Sequence, residues 1–272
     1  MRILIRTSKL AIWARRLGAF ALPLALLPVL LHRERVISSD EFLVIETAAA
    51  GFALLAFILA ISAYARLWVS GDRGWVRASI GLLFSLICLL PMGVVAWLAL
   101  HYPVIGDVST DDLRPPQLVG AVGRAMTGAQ RDDILAVFPN ARTRSYPIEA
   151  QQMFGIVEQL ALASGWELRA RRAPTTPFDV GQLNLLSTSL LGWRDEVVLR
   201  VSGLAAGSTV DMRSTPTHGW FDLGENGRRV ESFLLGLDNR VTLLLRDAPQ
   251  APTTPTDPTD APPVTQDEDA EE

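Results

Sequence analysis

Two nearly uninterrupted apolar runs, Phe42 to Tyr64 and Ala78 to Leu100, constrain this chain more than any other feature. At a rise of about 1.5 Å per residue each outreaches the roughly 30 Å hydrocarbon core of a bilayer, so each predicts a membrane-crossing helix. A third run, Leu17 to Leu31, contains Pro23 and Pro28 and follows a basic start, a pattern shared with cleavable signal peptides. His32, Arg33 and Glu34 stand where cleavage requires small residues. An uncleaved first helix is therefore expected, extended backward through Ile12 with Arg15 and Arg16 reaching for the headgroups. The expected membrane region is 1–101, with helices near 12–31, 42–64 and 78–100.

Arginine placement sets an expected orientation. Arg66, Arg73 and Arg77 flank the second loop, and Arg2, Arg6, Lys9, Arg15 and Arg16 crowd the N-terminus, so both belong on the cytoplasmic side. Everything after Leu100 then lies beyond the bilayer, in the periplasm of a cell with an inner membrane. Trp68, Trp75, Trp97 and Tyr102 suit interfacial aromatic belts. Glu46 is the lone acid within the spans; placed about one turn from its helix end, it reads as interfacial rather than as part of a transport path.

From Tyr102 to Asp247 the periodicity belongs to one α+β domain of ordinary size. Pro103, Pro115 and Pro116 make Val104 to Leu113 irregular or edge-strand chain. Met153, Ile156, Val157, Leu160 and Ala161 recur at helical spacing between Glu149 and Ser164. Trp166 to Arg171 alternates, and Leu183 to Leu191, Glu196 to Val201 and Thr209 to Ser214 continue what reads as an antiparallel meander. A final helix carries Val230, Phe233, Leu234, Leu237, Val241, Leu244 and Leu245 on one face, with Asp222 and Glu225 resembling a capping box at its start. The fold expected is three transmembrane helices followed by an antiparallel sheet covered by two helices. The net charge of -4 arises in residues 248–272, a Pro, Thr, Asp and Glu segment expected to be disordered.

Val210-Asp-Met-Arg-Ser-Thr-Pro-Thr-His-Gly-Trp-Phe-Asp-Leu-Gly-Glu-Asn-Gly-Arg-Arg-Val230 resembles the signature of domain of unknown function 1499 (DUF1499), roughly VDVRSxSRxGxxDLGxNxxRI. Tyr102-Pro103, Asp107 to Asp111, Phe138-Pro139, Gly165-Trp166 and Trp193 to Arg200 carry further resemblance. The second serine and arginine of RSxSR are replaced by Pro216 and by Thr217 or His218. The resemblance implies a membrane-associated bacterial envelope protein with no established reaction. Its residues supply the candidate motif: Asp107, Thr110, Asp111, Asp195, Arg200, Asp211, Arg213, Ser214, His218, Gly219, Asp222, Gly224, Asn226 and Arg229.

These residues admit two classes of function. Ser214, His218 and Asp222 are triad residue types, but they share one strand-to-helix connection without a nucleophile elbow. A structural role is favoured: Asp222 caps the last helix and pairs with Arg213, while Gly219 and Gly224 serve turn backbone. No metal site is expected, since Cys88 is the only cysteine, the domain holds one histidine, and Asp107, Asp111 and Asp112 match no EF-hand spacing. No cofactor is implied, and Gly219 to Gly227 forms no phosphate loop. Nucleic acid is disfavoured by location. Arg169, Arg171 and Arg172 form a basic strand face, either solvated or facing anionic lipid or an envelope protein. The favoured reading is a membrane-anchored module that binds a lipid, an envelope component or a membrane protein without catalysis. The alternative is a hydrolase or transferase with a carboxylate and arginine site.

Overall fold

The computed structural model describes residues 6–103, 106–123, 126–219 and 222–247. The expected disordered tail lies outside them, as do Val104 and Ile105 of the linker and Trp220 and Phe221 of the signature. Three long apolar helices, α1 (Lys9–Arg33), α2 (Ser39–Ser70) and α3 (Trp75–His101), come first, each long and apolar enough to cross a membrane. All three outrun the apolar runs that predict them; at α1 and α2, caps at Ser8 and Ser38 start the helix in polar sequence. At α2 the Ser38 hydroxyl accepts from the Glu41 N–H while Glu41 accepts from the Ser38 N–H at 2.7 Å, a capping box. Glu46 consequently lies two turns inside α2, deeper than the single turn expected, and its Oε1 is buried without a partner.

Small residues let the helix backbones approach. Ala49, Ala53, Ala56, Ala60 and Ala63 form a buried stripe on α2 at alternating four- and three-residue spacing. Gly81 of α3 abuts the backbone of Ala14, where an added Cβ would sit 2.6 Å from the Ala14 carbonyl carbon. Pro23, Pro28 and Pro91 are accommodated inside their helices.

The rest is an antiparallel sheet with helices. Strands β3 (Glu167–Arg172), β4 (Val180–Thr188), β5 (Arg194–Leu204) and β6 (Gly207–Pro216) form the expected meander, in spatial order β6-β5-β4-β3. The far side of β6 is shared by β1 (Val108–Ser109), opposite Arg213 and Ser214, and β2 (Arg144–Tyr146), opposite Ser208 to Val210. Helices α5 (Ala150–Ala163) and α6 (Glu225–Asp247) cover one sheet face, burying Met153, Phe154, Val157, Phe233, Leu234 and Leu237 against Leu183, Leu185, Val197, Leu199, Val210 and Met212.

Three features depart from expectation. Helix α4 (Gly128–Val137) has too weak an apolar period to be legible; it is set by a Thr127–Gln130 capping box and held by one buried residue, Ile134. Leu244 and Leu245 are exposed, because α6 continues beyond the sheet that its first turns cover. β4 ends at Thr188, which leaves Leu190 and Leu191 in the turn to β5.

Candidate functional site

Period-two alternation divides the signature between the two faces of the sheet. Met212 and Ser214 point toward the helices, while Asp211 and Arg213 point the other way, joined by Arg200, directly opposite Asp211 on β5. That second face carries charge instead of a helix. The segment from Asp107 to Gly123 crosses it as a strap, and nearly every polar group beneath the strap is bonded to it.

Arg213 donates through Nε and Nη2 to the two oxygens of Asp107, at 2.9 and 2.7 Å, and through Nη1 to the Pro116 carbonyl. Both partners of this bidentate pair are buried. Arg213 thus pairs with Asp107, not with Asp222 as expected, because Asp222 lies beyond the end of β6 while Arg213 faces the strap. Arg200 donates through Nη2 to Asp111 and Asp211, each at 2.7 Å, and through Nη1 to the Arg114 carbonyl. Asp211 also accepts from Thr143 at 2.6 Å and from Thr110, whose hydroxyl accepts from the Met212 N–H.

Glu196 completes the fastening and was absent from the candidate set. Its carboxylate accepts the N–H groups of Val119, Gly120 and Ala121 at 2.7 to 2.9 Å and the amide of Asn184 at 3.0 Å. The signal for it was the second acid of Trp193 to Arg200, a stretch that carries the family resemblance. Burial tends to raise both Glu196 and Asp111, but the hydrogen bonds they accept outweigh it and hold both below the ordinary carboxylate range.

A second polar cluster lies on the helix side, at the start of α6. Arg229 donates to Asp195 at 2.7 Å and Glu225 at 2.9 Å, and also to Ser214 and Asn226. Asn226, fully buried, accepts from Ser214 and donates to the Gly106 carbonyl. Asp222 accepts the N–H groups of Gly224 and Asn226, which supports the capping assignment, although Glu225 bonds Arg229 rather than closing a box. Gly219 and Gly224 both have the positive φ expected of them. The triad does not assemble: Ser214 is buried and bonded to Asn226 and Arg229, whereas His218 is exposed. No group of histidine, cysteine and acidic residues suited to a metal occurs among the described residues.

Burial pushes Asp195 up to about 6, with Arg229 pulling it back and Glu225 and Asp222 adding to the rise. A folded-state value above the ordinary one makes this group most stabilising while it is protonated. Its contribution is therefore full below about pH 4 and is lost as pH rises through 6. Asp195→Asn is expected to flatten the fall in melting temperature between those values, measured on the full-length protein in detergent.

The family model described as "Protein of unknown function (DUF1499)" matches residues 107–237, from the start of the strap into α6. This region is a DUF1499 domain. No curated protein and no solved structure matches the chain. Within the DUF1499 domain the candidate aspartates and arginines separate into the strap fastening and the α6 cluster, each bonded internally, while His218 and Gly219 lie exposed outside both. The arginines of β3 have acidic neighbours too: Arg169 with Glu167, Arg171 with Glu158, Arg172 with Asp179.

Openings lie elsewhere. A cleft of about 500 Å³ separates the end of α3 from α4, lined by Leu100, His101, Tyr102, Gln130, Asp133 and Val137 among others. A smaller, more apolar groove of about 170 Å³ runs between α5 and α6, beside Trp166 and Phe233.

Proposed function

We propose that this protein is a membrane-anchored binding module whose DUF1499 domain takes up a lipid, or a lipid-linked envelope component, without catalysis. The observation that supports this reading is the partition of polar groups. Arg200, Arg213 and Arg229 are committed to internal carboxylates, while the larger cleft opens where α3 leaves the apolar span. A ligand in that cleft meets the apolar end of α3 and, beside it, the polar groups of His101, Gln130 and Asp133, a division that matches an amphiphile at a bilayer surface. The alternative hydrolase or transferase requires the carboxylates and arginines of the signature to meet a substrate, and has weaker support.

Native mass spectrometry of the full-length protein released from its own membrane tests this directly. A retained amphiphile mass is expected, and Ala136→Trp, which puts an indole into the cleft that Ala136 helps to line, is expected to lose at least nine-tenths of it. A clean apo mass from the wild type would overturn the proposal.

The same reading places the N-terminus in the cytoplasm and the domain in the periplasm, on the inner membrane. Thr7 pairs with Arg73, so the N-terminus and the arginine loop between α2 and α3 share one side. With Cys88 replaced by Ser, Leu204→Cys is expected to react with an impermeant maleimide added to spheroplasts. Asp72→Cys is expected to react only after permeabilisation; the reverse pattern would invert the topology.

A further inference from the structure

The turn from β4 to β5 breaks the usual chemistry of a hairpin. Ser189 and Gly192 close it, with the Gly192 N–H donating to the Ser189 carbonyl at 3.0 Å, and its two central residues are leucines. Polar turn formers are the common choice there. Leu190 is 81% exposed and Leu191 49% exposed. On a freely solvated domain, adjacent exposed leucines at a turn apex are a liability.

Their surroundings supply the reason. The turn is fitted to the ends of α1 and α2: His32 Nδ1 donates to the Leu191 carbonyl at 2.7 Å, and Arg33 donates to the Leu190 carbonyl at 3.5 Å. Trp193 meets His32 at 5.1 Å and the edge of Phe42 at 5.9 Å between ring centroids. Gly192, at φ 89°, lies so close that a Cβ there would come within 2.9 Å of the Arg33 Cα. Phe42 opens the apolar run of α2, and Arg33 closes that of α1, so these contacts place the turn at the edge of the hydrocarbon layer.

We propose that Leu190 and Leu191 enter the bilayer interface and form a membrane attachment of the DUF1499 domain separate from α3. The occupant of this surface is lipid, because the surface is continuous with the lipid-facing ends of α1 and α2. Fastened both at the end of α3 and at this turn, the domain keeps one orientation over the bilayer. The ligand cleft plays no part in this inference.

The test uses the full-length protein with Cys88→Ser, reconstituted in phosphatidylcholine nanodiscs. An environment-sensitive NBD label is attached at Leu190→Cys, at Leu191→Cys, or at Leu204→Cys on the distant β5–β6 turn. Labels at 190 and 191 are expected to emit at shorter wavelength than the label at 204. Lipids carrying a doxyl group on acyl carbon 5 are expected to quench them at least threefold more strongly. Both side chains are exposed, so neither replacement disturbs the core. Emission and quenching at both positions equal to those at 204 would overturn the proposal.

Discussion

Replacing Arg213 with Met is expected to destabilise the domain by about 3–5 kcal/mol, the usual cost of removing one member of a buried ion pair. Asp107 would lose both hydrogen bonds from the guanidinium, and the Pro116 carbonyl would lose a third. At this domain size the shift corresponds to a fall in melting temperature on the order of 10 °C, readable by circular dichroism of the detergent-solubilised protein. Asp107→Asn in the same background separates the terms. If the cost is the lost attraction between Arg213 and Asp107, the double variant recovers part of the loss; if Arg213 matters only by its bulk, the second change brings no recovery.

Glu196→Ala acts differently, since its partners are backbone N–H groups on a surface segment that can turn to water once released. The expected result is local opening, not global melting. Losing the three hydrogen bonds from the strap to the carboxylate, at about 1.5–3 kcal/mol each for charged partners, more than suffices to raise the open population of the strap a hundredfold. Limited thermolysin digestion should then cut before Leu118 or Val119 in the variant under conditions that spare the wild type. Equal cleavage would mean that Arg200 and Arg213 hold the strap unaided.

The membrane region was legible because a bilayer imposes a long, continuous apolar requirement that few other structures share. The meander was legible because its strands are short runs separated by turn glycines, and β4, β5 and β6 stand near where those glycines placed them. What failed were elements with little apolar content. Helix α4 rests on Ile134 and a capping box, and β2 is three residues long, so neither carries a period to detect.

The candidate residues were recognisable from their resemblance to the family pattern, but their pairing was not. Arg213 was expected to meet Asp222, nine positions along the chain, and instead meets Asp107, 106 positions away. Spacing along a chain says which face of a strand a side chain takes. It does not say what crosses that face, and here the strap is an irregular segment with no pattern of its own. Glu196 lies in the recognised stretch from Trp193 to Arg200, but its partners in the strap are backbone amides, so side-chain identity does not reveal what it fastens.

The claim that the charged signature residues fasten the strap to the sheet is tested most directly by hydrogen exchange on the full-length protein in nanodiscs. Val119, Gly120 and Ala121 lie in irregular chain and would exchange within seconds if solvated. Bound to Glu196, they are expected to exchange at least a hundredfold more slowly, and to lose that protection in Glu196→Ala while the amides of β5 keep theirs. Exchange at the unprotected rate in the wild type would contradict the strap and leave the charged face of the sheet open to a ligand.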